Sequence, residues 1–332
     1  MDSPPKICIY GAGAIGGVIG TKLALAGAEV SVVARGQTLR ILQAHGLRLI
    51  TDDKPLTAPV KAVAEPAALG PQDYVIITVK APALREIALR IKPLIGPETT
   101  VVTAMNGIPW WFFHNHTGPL AGRSLAAVDP DGSIARNIPA AQTIGCVIYM
   151  SAAIERPGMI RHDYGNRLLI GENDNRLTPR VQRLGEWLRR AGFDGVESTE
   201  IRREIWLKLW GNLSTNPISM LTGATLDRIV GDPLVETLVR RMMEEAAEIG
   251  QVIGVAPSLT VDEMIAKAHS FGAIKTSMLQ DLERGTPVEI DALLTVAHDI
   301  GAMVRVPTPF IDSVLGLARL RAAEHGLIDR VA

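Results

Sequence analysis

The stretch KICIYGAGAIGGVIGTKLALAGAEVSVV, residues Lys6–Val33, decides the fold. Lys6–Tyr10 (KICIY) reads as a short β-strand. A glycine-rich turn follows, Ala14–Ala26 reads as a helix of small and apolar residues, and Gly27 ends it as glycine commonly does just past a helix. Glu29–Val33 (EVSVV) is a second strand, which makes a β-turn-α-β unit, the start of a parallel sheet. Within it Gly11-Ala12-Gly13-Ala14-Ile15-Gly16 matches GxGxxG in the context that pattern requires: strand before, helix after, strand next. The first glycine permits the turn, the second lets backbone approach a pyrophosphate, and the third allows close helix–strand packing. A helix N-terminus then offers free N–H groups to the phosphates. A glycine-rich turn can also bind nothing, but this context points to a dinucleotide.

Further strands are expected at Leu47–Ile50, Tyr74–Val79, Thr100–Thr103 and Ile144–Ser151, with a helix over Ala81–Leu94. Strands alternating with helices predict an α/β fold whose N-terminal part is a Rossmann-type, doubly wound parallel sheet. From Thr199 the strand signals vanish and periodic helices take over: Ile201–Leu213, Pro233–Ile253, Val261–Lys267, Val288–Val304 and Pro309–His325. The expected division is residues 1–197, binding the dinucleotide, and residues 198–332, an all-helical substrate and catalytic domain. His114–Gln142, rich in Gly, Pro, Asp and Asn, reads as a long surface excursion.

Working outward, the 332 residues suit about two domains. With 34 basic against 35 acidic residues the chain is near neutral, and only 4% is aromatic. Nucleic acid is therefore not an expected partner, since it favours basic faces and stacking platforms. A hydrophobic content of 47% excludes global disorder. No long unbroken apolar run predicts a membrane span. Cys8 and Cys146 are too few for a disulfide framework or a metal cluster, so no metal is expected, and with no secretory pattern the expected location is cytoplasmic.

The second strand ends Val33-Ala34-Arg35-Gly36, without the acid that a ribose 2′-hydroxyl wants. Arg35 could instead pair with a 2′-phosphate, which favours NADP(H) over NAD(H). In IWLKLWGNLSTNP, Ile205–Pro217, the residues Lys208, Asn212 and Asn216 stand four apart. At about 100° per residue they share one helical stripe, offering a proton donor and two amides to a carbonyl compound. An exposed polar stripe is the plainer reading. Pro217 should disturb this helix near Asn216. Thr286, Pro287 and Glu289 read as a capping box, a structural reading that competes with a cofactor-facing carboxylate at Glu289. Asn106 and Lys80 each follow a strand, where α/β sheets bind ligands. Ser277 reads as a helix-surface hydroxyl, and Trp110–Phe113 as packing.

Together, GAGAIG at 11–16, VKA at 79–81, MNGIP at 105–109, KLWGNLSTNP at 208–217, SMLQD at 277–281 and VEID at 288–291 resemble the ketopantoate reductase family across nearly the whole chain. The resemblance implies NADPH-dependent reduction of ketopantoate, a 2-oxo acid, to the 2-hydroxy acid pantoate on the route to coenzyme A. It implies Lys208 as general acid, with Asn212, Asn216 and Ser277 on the substrate and Asn106 touching both cofactor and substrate. Arg35, Lys80, Glu289 and Ser151 match cofactor contacts beside the glycine turn. A homodimer is a family expectation. Leu226 and Ile274 are apolar where better-known members carry amides near the substrate, which leaves room for another branched 2-oxo acid. A non-catalytic NADP-binding regulator is the remaining alternative; it would not need Lys208 and both asparagines together.

Overall fold

The computed structural model describes residues 3–51 and 55–328. The chain forms two compact units. One comprises Met1–Val79, Ala83–Met105 and Gly132–Ile201; the other comprises Lys80–Pro82, Asn106–Asp131 and Arg202–Ala332.

The first unit is built on a sheet with ten strands among the described residues: β1 (Lys6–Tyr10), β2 (Glu29–Val33), β3 (Leu47–Ile50), β4 (Leu56–Ala58), β5 (Lys61–Val63), β6 (Tyr74–Ile77), β7 (Thr100–Thr103), β8 (Thr143–Arg156), β9 (Met159–Glu172) and β10 (Asp194–Glu197). Their order is β4-β3-β9-β8-β7-β6-β1-β2-β5, with β10 also paired to β9. From β5 to β8 every pairing is parallel. This is the doubly wound arrangement, with strand order 3-2-1-4-5-6 when those six are counted along the chain. Beyond β8 the sheet becomes mixed, because β9 returns antiparallel along β8.

Helix α1 (Ala14–Leu25) lies close against this sheet because its inner face is glycine. A Cβ on Gly17 would sit 2.4 Å from Ile160, and one on Gly20 2.9 Å from Leu47. Ile7, Ile9, Val18, Leu23, Leu47 and Ile160 belong to the apolar core so formed. Helix α2 (Gly36–His45) follows β2, where no helix is legible in the sequence. The single helix expected over Ala81–Leu94 is instead short 3₁₀ turns flanking α3 (Leu84–Ala88). Pro82 and Pro93 lack the N–H that a continuous helix needs. The unit also carries α4 (Ser133–Asn137) and α5 (Pro179–Arg190).

The second unit is helical: α6 (Ile201–Thr222, in this unit from Arg202), α7 (Leu226–Gly231), α8 (Pro233–Val252), α9 (Val261–Ser270), α10 (Ser277–Arg284), α11 (Val296–Val304) and α12 (Pro309–Glu324). Asp232 caps α8 through the amides of Leu234 and Val235. The Glu245 carboxylate, on α8, accepts from the first amides of α12, Phe310 and Ile311, each at 2.9 Å.

The stretch 114–142 is largely exposed, as its composition suggests, but buried residues anchor it. Leu120, Leu125, Asp129, Ile134 and Ile138 are buried. The Arg202 guanidinium ties its start down by donating to the carbonyls of Phe112 (2.5 Å) and His114. Phe112 and Phe113 pack edge to face, and all four residues Trp110–Phe113 are buried, so this cluster is core.

Candidate active site

In the first unit the glycine turn is held by packing that leaves no choice at two of its positions. Gly11 has φ +113°, where only glycine sits comfortably. A Cβ on Gly16 would come within 2.1 Å of the Gly11 carbonyl and 2.4 Å of the Thr78 hydroxyl. Thr78 donates to the Gly11 carbonyl at 2.7 Å, pinning the turn to the end of β6. Sequence reading missed Thr78, since nothing local marks a partner 67 residues away.

Gly13 is different. A Cβ there would meet nothing within 4 Å, and its φ of −75° is open to any residue. Neither packing nor backbone strain calls for a glycine at this position beyond its modest merit as the α1 N-cap, and the open space at the N-terminus of α1 fits the close approach of a pyrophosphate. No side chain caps α1, and no acid stands in its first turn.

A cavity of about 280 Å³ opens at this turn, lined by Gly11–Gly13, Arg35, Val79, Glu86 and Arg90 among others. Arg35 is exposed and makes a two-point ion pair with Glu86, at 2.5 and 3.1 Å. The guanidinium pulls the Glu86 carboxyl below its usual range. Ser151 is not among the residues lining this cavity; it sits at an irregularity of the β8–β9 pairing and donates to Asp163 at 3.4 Å.

In the second unit the structure gathers Lys80, Asn106 and Glu289 around a partner, Asp281, that sequence reading passed over. Lys80 Nζ is 2.5 Å from the Asp281 carboxylate and 3.2 Å from the Thr286 hydroxyl. Glu289 is buried; one carboxylate oxygen accepts from the Ala81 amide (3.0 Å), the other from the Asn106 side chain (3.5 Å). Burial pushes the Glu289 carboxyl up, against the lowering effect of those two donors. Glu289 is therefore not a capping-box residue. The chain from Thr286 to Glu289 is neither helix nor strand, and helix resumes only at Ile290, through a π-type turn over Asp291–Thr295. Such turns recur at functional sites. Gly107 has φ +82° and lies so close to Ala292 that a Cβ would meet its carbonyl at 2.4 Å, while the Ile108 amide donates to that carbonyl. This clamp sets Asn106 beside Glu289.

Helix α6 runs unbroken through Pro217, so Lys208, Asn212 and Asn216 stay on one stripe. Pro217 does not interrupt the helix. It leaves the Leu213 carbonyl without its helical donor, and in the turn before it the Ser214 and Thr215 hydroxyls donate back to the Trp210 and Gly211 carbonyls. What fixes the rotation of the helix is its other side. Trp206 and Trp210 donate to the Ala246 and Met243 carbonyls of α8 at 3.2 and 2.7 Å. At about 100° per residue the lysine–asparagine stripe lies roughly opposite these two indoles. Lys208 and Asn212 are half-buried, while Asn216 is 6% exposed. Ser277 is exposed at the first position of α10, whose N-cap is Thr276. Leu226 and Ile274 are brought together, the Leu226 amide donating to the Ile274 carbonyl at 2.9 Å. No cluster of three or more His, Cys, Asp or Glu able to hold a metal occurs among the described residues, and no described helix is long and apolar enough to cross a membrane.

Against known families, residues 7–175 match the model for ketopantoate reductase PanE/ApbA, and residues 200–322 match the model for its C-terminal domain. The chain belongs to the ketopantoate reductase family. As a member it is an oxidoreductase. A 2-dehydropantoate 2-reductase of Mesorhizobium japonicum is 49% identical over 97% of this chain and 99% of its own. A crystal structure of a candidate ketopantoate reductase from Ralstonia solanacearum superposes with a TM-score of 0.95 at 50% identity, covering 98% of this chain and all of the other. A PanE/ApbA family ketopantoate reductase from Ralstonia eutropha gives 0.83 at 27% identity, over 97% of this chain and 99% of the other.

Proposed function

We propose that this family member reduces ketopantoate to pantoate with NADPH and that Lys208 is the general acid. The geometric observation that carries the chemistry is the unbroken course of α6 through Pro217, which keeps one cation and two amides on a single stripe. The end-to-end likeness to a relative named 2-dehydropantoate 2-reductase supports the substrate.

Bound NADPH supplies the hydride. The protein's part is to hold the 2-oxo acid and to deliver a proton. The Lys208 ammonium, half-buried on its helix, donates to the ketone oxygen as negative charge develops there. Asn212 and Ser277 hold the carboxylate, while the nearly buried Asn216 accepts the substrate's terminal hydroxyl. Glu289 and Asn106 form one hydrogen-bonded pair, with Lys80 held close by through Asp281, and together they hold the cofactor's ribose. Arg35 contributes a guanidinium to the 2′-phosphate. Gly13 and the uncapped N-terminus of α1 receive the pyrophosphate.

The test is Lys208→Ala. General acid–base catalysis contributes about 10²–10⁴-fold, so kcat should fall by that much with NADPH affinity little changed. A folded Lys208→Ala enzyme with wild-type kcat overturns the assignment.

A further inference from the structure

Strand β2 ends without an acid, yet the structure supplies one at the same place from another part of the chain. Glu86, on α3, receives both terminal nitrogens of Arg35 and lies 3.8 Å from Arg90. All three side chains line the cavity at Gly11–Gly13. Arg90 is held in turn by Glu65, at 2.7 and 2.8 Å. On an open surface such exposed ion pairs would contribute little. Here they form the wall of a cavity beside the turn, where the adenosine ribose follows the pyrophosphate.

We propose that Glu86 sets the cofactor selectivity of this site, a reading that rests on the dinucleotide assignment above. Its carboxylate narrows the preference for NADPH that Arg35 gives: it can accept the 2′-hydroxyl of a ribose that lacks a phosphate. Against a 2′-phosphate it is a competing anion that already fills the Arg35 fork. Arg35, Arg90, Glu86 and Glu65 sum to no net charge, so the cavity wall attracts a phosphate less than two arginines alone would. Neutralising Glu86 alone frees the fork, leaves Arg90 in place, and gives the cluster one net positive charge.

The experiment measures binding of ADP-ribose and of 2′-phospho-ADP-ribose by calorimetry at low ionic strength, with wild type, Glu86→Gln and Glu65→Gln. Both fragments lack the nicotinamide, so the result does not depend on turnover. Removing one carboxylate about 5 Å from a doubly charged phosphate should tighten the phosphorylated fragment about tenfold, with the gain shrinking in high salt. The same substitution should weaken ADP-ribose severalfold. Glu65→Gln changes the cluster's net charge equally but lies outside the cavity lining and leaves Glu86 in the Arg35 fork, so it should move the ratio by less than about twofold. An unchanged ratio in Glu86→Gln, or an equal shift in Glu65→Gln, overturns the assignment of selectivity to Glu86. If wild type binds neither fragment, the dinucleotide reading fails and this one falls with it. Glu86 is half-exposed, so the variant tests binding and not folding.

Discussion

Gly13 and Gly16 are both glycines of one motif, and the structure gives them opposite jobs that two alanine variants can separate. At Gly16 the added methyl would stand 2.1 Å from the Gly11 carbonyl oxygen and 2.4 Å from the Thr78 hydroxyl. An ordinary carbon–oxygen contact is more than 3 Å, so one strand of the turn has to move by about 1 Å. Overpacking of this kind costs roughly 1–3 kcal/mol, and the upper end applies because the obstruction is backbone and not a flexible side-chain tip. For a unit of this size each kcal/mol lowers Tm by about 2–4 °C, so Gly16→Ala should melt about 6–12 °C early. At Gly13 the methyl meets nothing, and the only structural loss is a poorer helix N-cap, about 0.5–1 kcal/mol. Gly13→Ala should therefore lose no more than about 1–4 °C, while its methyl occupies the approach of the pyrophosphate. The assay is thermal melting with and without NADPH, together with a fluorescence titration of NADPH. Gly13→Ala should melt almost as wild type does and gain no stabilisation from the cofactor. A Gly13→Ala protein that binds NADPH with wild-type affinity would refute the reasoning, because the open space at Gly13 would then have no ligand to explain it.

Other outcomes follow from named contacts. Burial raises the Glu289 carboxyl, so the folded protein holds that proton more tightly than the unfolded chain; stability is then lost as pH rises from the ordinary carboxylate range through the raised value. Glu289→Gln should lack this loss, and its Tm advantage over wild type should be present at pH 8 and shrink toward pH 4. Asp281→Asn removes the charged partner of Lys80 and should raise the NADPH Kd with kcat less affected; an unchanged Kd would leave Lys80 without a role at the cofactor. Arg35→Ala should weaken NADPH by about 1.5–3 kcal/mol and leave NADH nearly unaffected, as read by titration of each cofactor. Cys8 is buried, with its thiol pushed up to about 12, so thiol reagents should leave it unmodified until the protein is unfolded.

How much of this is legible without coordinates depends on the range of the interactions involved. The first β-α-β unit reads directly, because strand, turn and helix are each specified by neighbours within a few residues. The stripe on α6 reads too, since spacing of four is local. β9 does not: its middle, with Asp163, Gly165 and Asn166, shows no alternation, and it is a strand because β8 pairs along it. α2 is missed because Leu42 is its only fully buried residue, which leaves almost no apolar period to detect. Glu289 misleads for a related reason. Thr286-Pro287-Val288-Glu289 looks like a helix start, but its carboxylate is drawn inward by the Ala81 amide and by Asn106, 208 and 183 residues distant. Asp281 and Thr78 were overlooked on the same ground, and Glu86 meets Arg35 across 51 residues.

The substrate claim is the one most exposed to experiment. Ketopantoate and 2-oxoisovalerate share the carboxylate, ketone and branched carbon, and differ in the terminal hydroxyl assigned to Asn216. The Asn216 oxygen already accepts a long hydrogen bond from Thr215 at 3.5 Å, and a buried amide that loses its better partner still forfeits about 1–3 kcal/mol, more than the apolar Leu226 and Ile274 return by favouring a plain alkyl chain. Steady-state kinetics of both acids with saturating NADPH should give a kcat/KM at least about tenfold higher for ketopantoate, equivalent to roughly 1.4 kcal/mol, with most of that preference gone in Asn216→Ala. Equal efficiency on 2-oxoisovalerate would contradict the account and make this protein a reductase of a different branched 2-oxo acid.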